Sequence, residues 1–330
     1  MRVPSAIPQP PRKILCVRSD RIGEFLLTLP ALQFLKGCYP DTEISVLAQR
    51  QNLDMVQGLS FIDREIPMET LPDSLWGLTS AIRKERFDIA IIFNPKKKFH
   101  QACFLAGIPL RVGYDRKWGF LINRRGRDMK NSDQIHKVTQ NIALTSTVCP
   151  GTFSSSLPPE LPWNDREEIA SFLKQEKLED KNPFVVLHPF TSDPSKTLPF
   201  SFWARLIRNL TGRGENILII GQAEEFARSE FSKLKAPGIF CAAGKLTLRQ
   251  TGVLLKHCCR FYIGLDSGPY HMASLLGLPL TVIFRKPDMI ALWGPYFGKE
   301  NAKVILYRED QDEAAEQEVL RAFSDSVTTH

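Results

Sequence analysis

The chain has 330 residues, of which 43% are hydrophobic and 10% aromatic, and it carries a formal charge of +7. That is enough apolar material for two domains with cores of their own, which excludes a disordered chain. The positive balance favours anionic partners: nucleotides, phosphorylated glycans or an acidic membrane face. In chain order, an apolar run at Lys13 to Val17 reads as a strand, and Ile22 to Lys36 as a helix ended by Gly37 and Pro40. Glu43 to Leu47, Glu65-Ile66 and Asp88 to Phe93 read as further strands, with helices at Leu75 to Lys84 and Phe99 to Ala106. This β-α-β series predicts a parallel sheet. Asn131 to Asp180 holds Ser154-Ser155-Ser156 and Pro158-Pro159, the signature of a linker, followed by an amphipathic helix at about Asp165 to Glu176.

The alternation then restarts. Phe184 to Leu187, Ile217 to Ile220, Ile239 to Cys241, Phe261 to Ile263 and Leu280 to Phe284 read as strands. Phe200 to Leu210, Glu224 to Leu234, Leu248 to His257 and Pro269 to Leu276 read as helices, and Asp310 to Phe323 as a last acidic helix. The fold class is therefore α/β, with two Rossmann-like domains facing across a cleft toward which the strand carboxyl ends point.

Three strand-to-helix turns carry chemistry. Asp266-Ser267-Gly268-Pro269-Tyr270-His271 joins a buried strand to a helix that Gly277 ends. The first N–H groups of that helix have no internal partners and its dipole is positive there, which suits a phosphate. His188 to Lys196 offers the hydroxyls of Thr191, Ser192 and Ser195 and one ammonium, or else it is an ordinary Pro-rich loop. Arg18 to Glu24 either points a carboxylate into the cleft or simply starts a helix, with Asp20 as N-cap and Glu24 favouring the dipole.

Other motifs fail. Gly212-Arg213-Gly214 precedes a strand, so it is no Rossmann fingerprint, and Gly238 to Leu246 has the wrong spacing for a P-loop. There is no G-x-S-x-G elbow, and the six histidines show no metal-ligand spacing. Asp310-Gln311-Asp312 reads as a solvated helix face or cap, and Cys258-Cys259 as core packing. Seven scattered cysteines without a C-x-x-C pair read as free thiols. No apolar run spans a bilayer, no nucleic-acid module appears, and Met1 to Pro11 lacks the apolar core of a signal peptide, so the reading is cytoplasmic. Basic clusters at Lys96-Lys97-Lys98 and at Arg124, Arg125, Arg127 and Lys130 are either solvated surface or face a phosphorylated acceptor or anionic headgroups.

These segments together resemble glycosyltransferase family 9, the bacterial heptosyltransferases of lipopolysaccharide core synthesis. The resemblance is carried in order by Ile14 to Glu24 with Leu27 to Leu32, His188-Pro189 with Ser195-Lys196, Gly244 to Leu248, Gly264 to His271, and Trp293-Gly294-Pro295. It implies the GT-B fold. Residues 1–165 would be the acceptor domain, 166–309 the nucleotide-sugar donor domain, and 310–330 a helix packing back on the first. Thr191, Ser192 and Lys196 would hold the donor diphosphate, and Asp266, Ser267, Gly268 and His271 would complete that site. Glu224 or Glu225 would contact the nucleoside. Arg18, Ser19, Asp20 and Gly23, with Lys96 and Lys98, would be the acceptor contacts.

The family places an Asp general base where this chain has Glu24. Lys196 would stabilise the departing diphosphate. The resemblance further implies an inverting reaction without bound metal or other cofactor, ADP-heptose being a substrate. It implies a lipid-linked or phosphorylated glycan acceptor, and work at the cytoplasmic face of the inner membrane with peripheral contact to anionic lipid. A different sugar or acceptor, a nucleotide-sugar epimerase and a degenerate nucleotide-binding member are the alternatives.

Overall fold

The computed structural model describes residues 10–94, 96–114, 118–126, 134–149 and 158–328. The chain divides into two compact units, Met1–Pro162 and Trp163–His330. The boundary falls slightly before the expected one because the ring of Trp163 is fully buried on α10 (Leu248–Cys258) of the second unit. A methyl group on Gly252 would overlap that ring.

In the first unit the order is β1 (Lys13–Arg18), α1 (Ile22–Leu26), α2 (Leu29–Cys38), β2 (Glu43–Ala48), α3 (Arg50–Val56), β3 (Arg64–Pro67), α4 (Leu75–Glu85), β4 (Ile89–Ile92), α5 (Lys97–Leu105), β5 (Leu110–Gly113), β6 (Arg124–Arg125) and α6 (Lys137–Thr145). The strands form one parallel sheet in the order β3-β2-β1-β4-β5-β6. β1 is buried on both faces, as parallel strands under helices are. Leu15 and Val17 join a core with Leu78, Ile82, Phe99 and Ala102 of α4 and α5.

Three expectations are corrected here. The single helix expected at Ile22 to Lys36 is two, broken at Leu27-Thr28, with Pro30 in the first turn of α2. The N-cap of α1 is Arg21, not Asp20, whose carboxylate instead accepts from Arg18. The supposed linker from Asn131 contains α6, which packs on α2. Arg127 and Lys130 of the second basic cluster and Ser154-Ser155-Ser156 lie outside the described residues.

The second unit opens with α7 (Ala170–Gln175) and continues with β7 (Phe184–His188), α8 (Phe200–Gly212), β8 (Ile217–Ile219), α9 (Ala223–Arg228), β9 (Ile239–Cys241) and α10. It ends with β10 (Cys259–Leu265), α11 (Gly268–Leu275), β11 (Leu280–Phe284), α12 (Pro287–Trp293), β12 (Ala302–Leu306) and α13 (Asp312–Thr328). Its parallel sheet has the order β12-β11-β10-β7-β8-β9. The helix expected at Glu224 to Leu234 is α9 followed by a separate 3-10 turn at Glu230–Lys233.

α13 packs against α8, β11 and β12 of its own unit. Val319, Leu320 and Phe323 enter the core beside Phe202, Leu206 and Leu210. Asp312 is no solvated cap: it binds Arg205 of α8, and it accepts from the Tyr307 hydroxyl at 2.7 Å. Cys258 and Cys259 sit at the junction of α10 and β10, where burial pushes both thiols up, Cys259 to about 12. A packing role fits them, since the thiolate is the reactive form.

Candidate active site

In an open parallel sheet, ligands bind where the strand order reverses, beyond the strand carboxyl ends. In the second unit that point lies between β7 and β10. β7 delivers His188 there, and β10 delivers Asp266 and Ser267. The Ser267 hydroxyl and His188 Nδ1 meet at 3.0 Å and tie the two strand ends together. Burial pushes the His188 imidazole down to about 4, so the ring is neutral at ordinary pH.

α11 starts at Gly268, with Ser267 as N-cap. Because the Ser267 side chain turns to His188, it does not cap the helix. Pro269 has no N–H, so Gly268 and Tyr270 present the first-turn backbone donors. The helix ends as the sequence predicts. Gly277 has a positive φ of 66°, and the N–H groups of Gly277 and Leu278 return to Ser274 and Ala273, the Schellman pattern.

Asp266 is the hub of this site. Its Oδ2 accepts from Lys196 Nζ at 2.5 Å, and its Oδ1 lies 3.5 Å from His271 Nε2. Burial pushes the Asp266 carboxyl up, but the hydrogen bond and charge of His271, together with Lys196, outweigh it and hold the group below its ordinary value. Lys196 arrives on a tethered loop. Thr191 Oγ1 accepts from the Asp193 N–H at 3.3 Å, and Asp193 Oδ1 accepts from the Ser195 N–H at 3.0 Å, capping the 3-10 turn Pro194–Lys196. Ser192 is exposed on the same loop.

A pocket at this end of the sheet is lined by Lys196, Asp266, Phe284, Arg285, Lys286 and Met289. The last three escaped the sequence reading, although their position after an apolar strand was a usable signal. Arg285 is committed to the fold: it donates to the Thr197 carbonyl at 3.0 Å and pairs with Glu309. The Trp293 carbonyl accepts from Tyr270 at 3.1 Å, which ties that motif to α11.

Glu224 and Glu225 stand at the start of α9, beyond the carboxyl end of β8. Glu225 accepts from the Gln222 N–H at 3.2 Å in a capping box, so its carboxylate is engaged with its own helix, whereas Glu224 is exposed. The Gly244 to Leu248 segment is a turn with Gly244 at φ 72°, followed by a second capping box of Thr247 and Gln250.

In the first unit the strand order reverses between β1 and β4. Arg18 ends β1 and is almost wholly buried. Its guanidinium donates to Thr28 Oγ1 at 2.7 Å, Asp20 Oδ2 at 3.1 Å, the Phe93 carbonyl at 3.1 Å and Asn141 Oδ1 at 2.9 Å. Glu24 Oε2 lies 3.4 Å from Arg18 Nη1, on α1 one residue beyond Gly23. So buried a cation needs paired acceptors, and these fix the geometry of both carboxylates.

Ser19 Oγ accepts from Asn94 at 2.9 Å, and its carbonyl accepts from Lys96 Nζ at 2.9 Å. Arg18, Ser19, Asp20, Gly23, Glu24 and Lys96 are thus gathered at one strand-end cluster. Lys98 is not: its ammonium lies in an exposed pair with Asp73 at 3.7 Å. Asn141, which anchors Arg18 from α6, carried no signal in the sequence.

Among the described residues no group of three or more His, Cys, Asp or Glu is placed to hold a metal ion. No described helix is long and apolar enough to cross a membrane.

A family model described as glycosyltransferase family 9 (heptosyltransferase) matches residues 75–322. Lipopolysaccharide heptosyltransferase 2 of Escherichia coli K12 is 25% identical over 289 residues, covering 82% of each chain. The structure of E. coli ADP-heptose lps heptosyltransferase II is similar with a TM-score of 0.81 at 21% identity, covering 96% of this chain and 99% of that one. A glycosyl transferase family 9 structure from Veillonella parvula DSM 2008 is similar with the same TM-score at 18% identity, covering 99% and 100%. With its two parallel six-stranded sheets, the chain has the GT-B fold of these proteins.

Proposed function

The chain belongs to glycosyltransferase family 9, and within it we propose an inverting heptosyltransferase that moves a heptose from ADP-heptose to a lipopolysaccharide-core or related lipid-linked surface glycan. The observation that supports this most is the convergence of Lys196, Asp266 and His271 beside the N-terminus of α11, at the switch point of the second sheet. A diphosphate placed there meets one ammonium and the backbone N–H groups of Gly268 and Tyr270. Those positive groups do what a divalent cation does elsewhere, so transfer proceeds without metal. Thr191 and Ser192 add hydroxyl donors, and Glu224 is the carboxylate available to the ribose.

The first unit binds the acceptor. Glu24 takes the proton of the attacking hydroxyl, whose oxygen bonds to the anomeric carbon as the bond from that carbon to the diphosphate oxygen breaks. The negative charge then resides on the departing ADP, where Lys196 and the α11 N-terminus stabilise it. Arg18 is a positioning residue, since its donors are spent on Thr28, Asp20, Phe93 and Asn141. The reaction takes place in the cytoplasm, where nucleotide sugars are made, against the inner membrane.

Calorimetric titration with ADP, UDP and GDP, in a chelator and then with magnesium, tests the donor assignment. Selective ADP binding that is indifferent to magnesium is expected. Preference for another nucleotide reassigns the donor, and magnesium-dependent binding contradicts the metal-free site.

A further inference from the structure

Of the four large hydrophobic side chains exposed among the described residues, three lie in the first unit: Trp76 on α4, Phe104 on α5 and Phe120 in the 3-10 turn Gly119–Leu121. Phe120 is 72% exposed and Trp76 is 73% exposed. Isolated apolar side chains on a surface mean little, but these belong to one face.

Lys97 and Phe104 are two turns apart on α5 and so project from the same side. The Lys97 ammonium lies over the Trp118 ring, 4.9 Å from its centroid, and the Trp118 and Phe120 rings are 6.1 Å apart. At the other end of the stripe the Arg111 guanidinium lies 5.2 Å from the Phe104 centroid and donates to the Leu121 carbonyl at 2.9 Å. α4 runs alongside α5 in the same direction, as the Asp73–Lys98 pair near their starts and the bond from Arg83 to the Leu105 carbonyl near their ends show. Trp76 therefore stands level with Lys98.

Both helices begin at the carboxyl edge of the first sheet, the edge that carries Arg18, Glu24 and Lys96. The stretch that carries Phe104 and Phe120 is positive: among the described residues of 96–126, six are Lys or Arg and none is acidic. Asp73 on α4's approach is the acidic neighbour, and it faces Lys98.

We propose that this face, Trp76, Lys97, Phe104 and Phe120, docks the first unit on an anionic lipid bilayer. Aromatic rings suit the boundary between headgroups and acyl chains, and cations beside them suit phosphate headgroups. Neither component alone gives firm attachment, and together they supply the two signals a peripheral protein needs. The surface rests on the reading above only for its purpose, which is to bring the acceptor cluster to a lipid-linked glycan. Vesicle binding itself does not depend on the donor or on turnover.

The full-length protein is titrated with vesicles of phosphatidylcholine alone and of phosphatidylcholine with phosphatidylglycerol, followed by co-sedimentation and tryptophan emission. Binding to the anionic vesicles only is expected, with a blue shift in emission as the aromatic rings enter the interface. Trp76→Ser/Phe120→Ser should weaken it by roughly tenfold or more, and Lys97→Glu should weaken it by a smaller factor, both without changing the melting temperature or ADP affinity. Added salt of about 0.5 M should weaken attachment of the native chain. No binding to anionic vesicles, or binding that both variants leave intact, overturns the proposal. A concentration-dependent dimer that the double variant dissociates, without vesicle binding, would assign the face to a second copy of the chain and also overturn it.

Discussion

Removing the Lys196 ammonium should cripple nucleotide binding by two separable effects. The first is loss of a charge-assisted hydrogen bond to phosphate, about 1.5–3 kcal/mol, or roughly 10- to 150-fold in Kd. The second follows from the geometry of Asp266. Its side chain is 6% exposed, and Lys196 lies 2.5 Å from its Oδ2. With a phosphate oxygen about 2.8 Å beyond the ammonium, carboxylate and phosphate come within about 5 Å of each other. Without Lys196, that separation means repulsion of about 3 kcal/mol at an effective dielectric constant near 20. Lys196→Ala should therefore bind ADP at least about tenfold more weakly. Lys196→Ala/Asp266→Asn should bind it more tightly than Lys196→Ala, because the neutral amide removes the repulsion. Isothermal calorimetry at neutral pH reads both. A single variant within about twofold of the native Kd, or a double variant no tighter than the single, would refute the reasoning.

Glu24→Gln should lower kcat by about 100-fold or more while leaving ADP affinity unchanged, since a general base contributes that much to the chemical step alone; steady-state kinetics with normal turnover would remove Glu24 from the mechanism. Arg205→Ala unlatches α13 from α8 by breaking the contacts to Asp312 and to Glu316, the latter at 2.9 Å. Because Arg205 is 34% exposed, solvent screening limits the loss to about 1 kcal/mol, or about 2–4 °C in Tm; an unchanged melt would contradict the latch. Burial holds His188 at about 4 in the folded chain, below its ordinary value of 6.5, so between these values the unfolded chain binds the extra proton. Stability should therefore fall as pH drops from about 6.5 toward 4, and His188→Asn should flatten that part of the Tm-against-pH profile; an equal slope in both proteins would assign it to other groups.

What the sequence discloses, and what it hides, follows from the range of each interaction. The buried strands at Lys13, Phe184 and Leu280 were legible because apolar runs under helices are a local signal. So was the α11 turn, where Ser267, Gly268 and Pro269 mark a helix start and Gly277 its end. β5, β6 and β12 escaped. β5 and β6 are short, and all three owe their strand identity to a neighbour rather than to their own alternation. α6 was lost among the Pro and Ser of its surroundings.

The partnerships within the sites were equally invisible. Lys196 meets Asp266 across seventy residues, and Asn141 reaches Arg18 across 123. Only the sheet order brings them together. The same limit governs Glu225: Gln is an unusual N-cap, so the capping box that occupies this carboxylate gave no Ser/Thr-x-x-Glu signature. Lys98 and Lys96 look alike in a run of three lysines, but Lys96 is the extended N-cap of α5 and reaches the Ser19 carbonyl, whereas Lys98 lies inside the helix and pairs with Asp73.

Acceptor-dependent transfer is the most direct test of the central claim. Purified protein is incubated in a chelator with ADP-heptose, with and without a truncated, heptose-deficient lipopolysaccharide, and ADP and glycosylated product are measured together. The account predicts one ADP per heptose transferred, with the configuration at the anomeric carbon inverted, and negligible ADP release without acceptor. Consumption of the donor that ignores the acceptor, or no transfer by protein that binds both substrates, would contradict it.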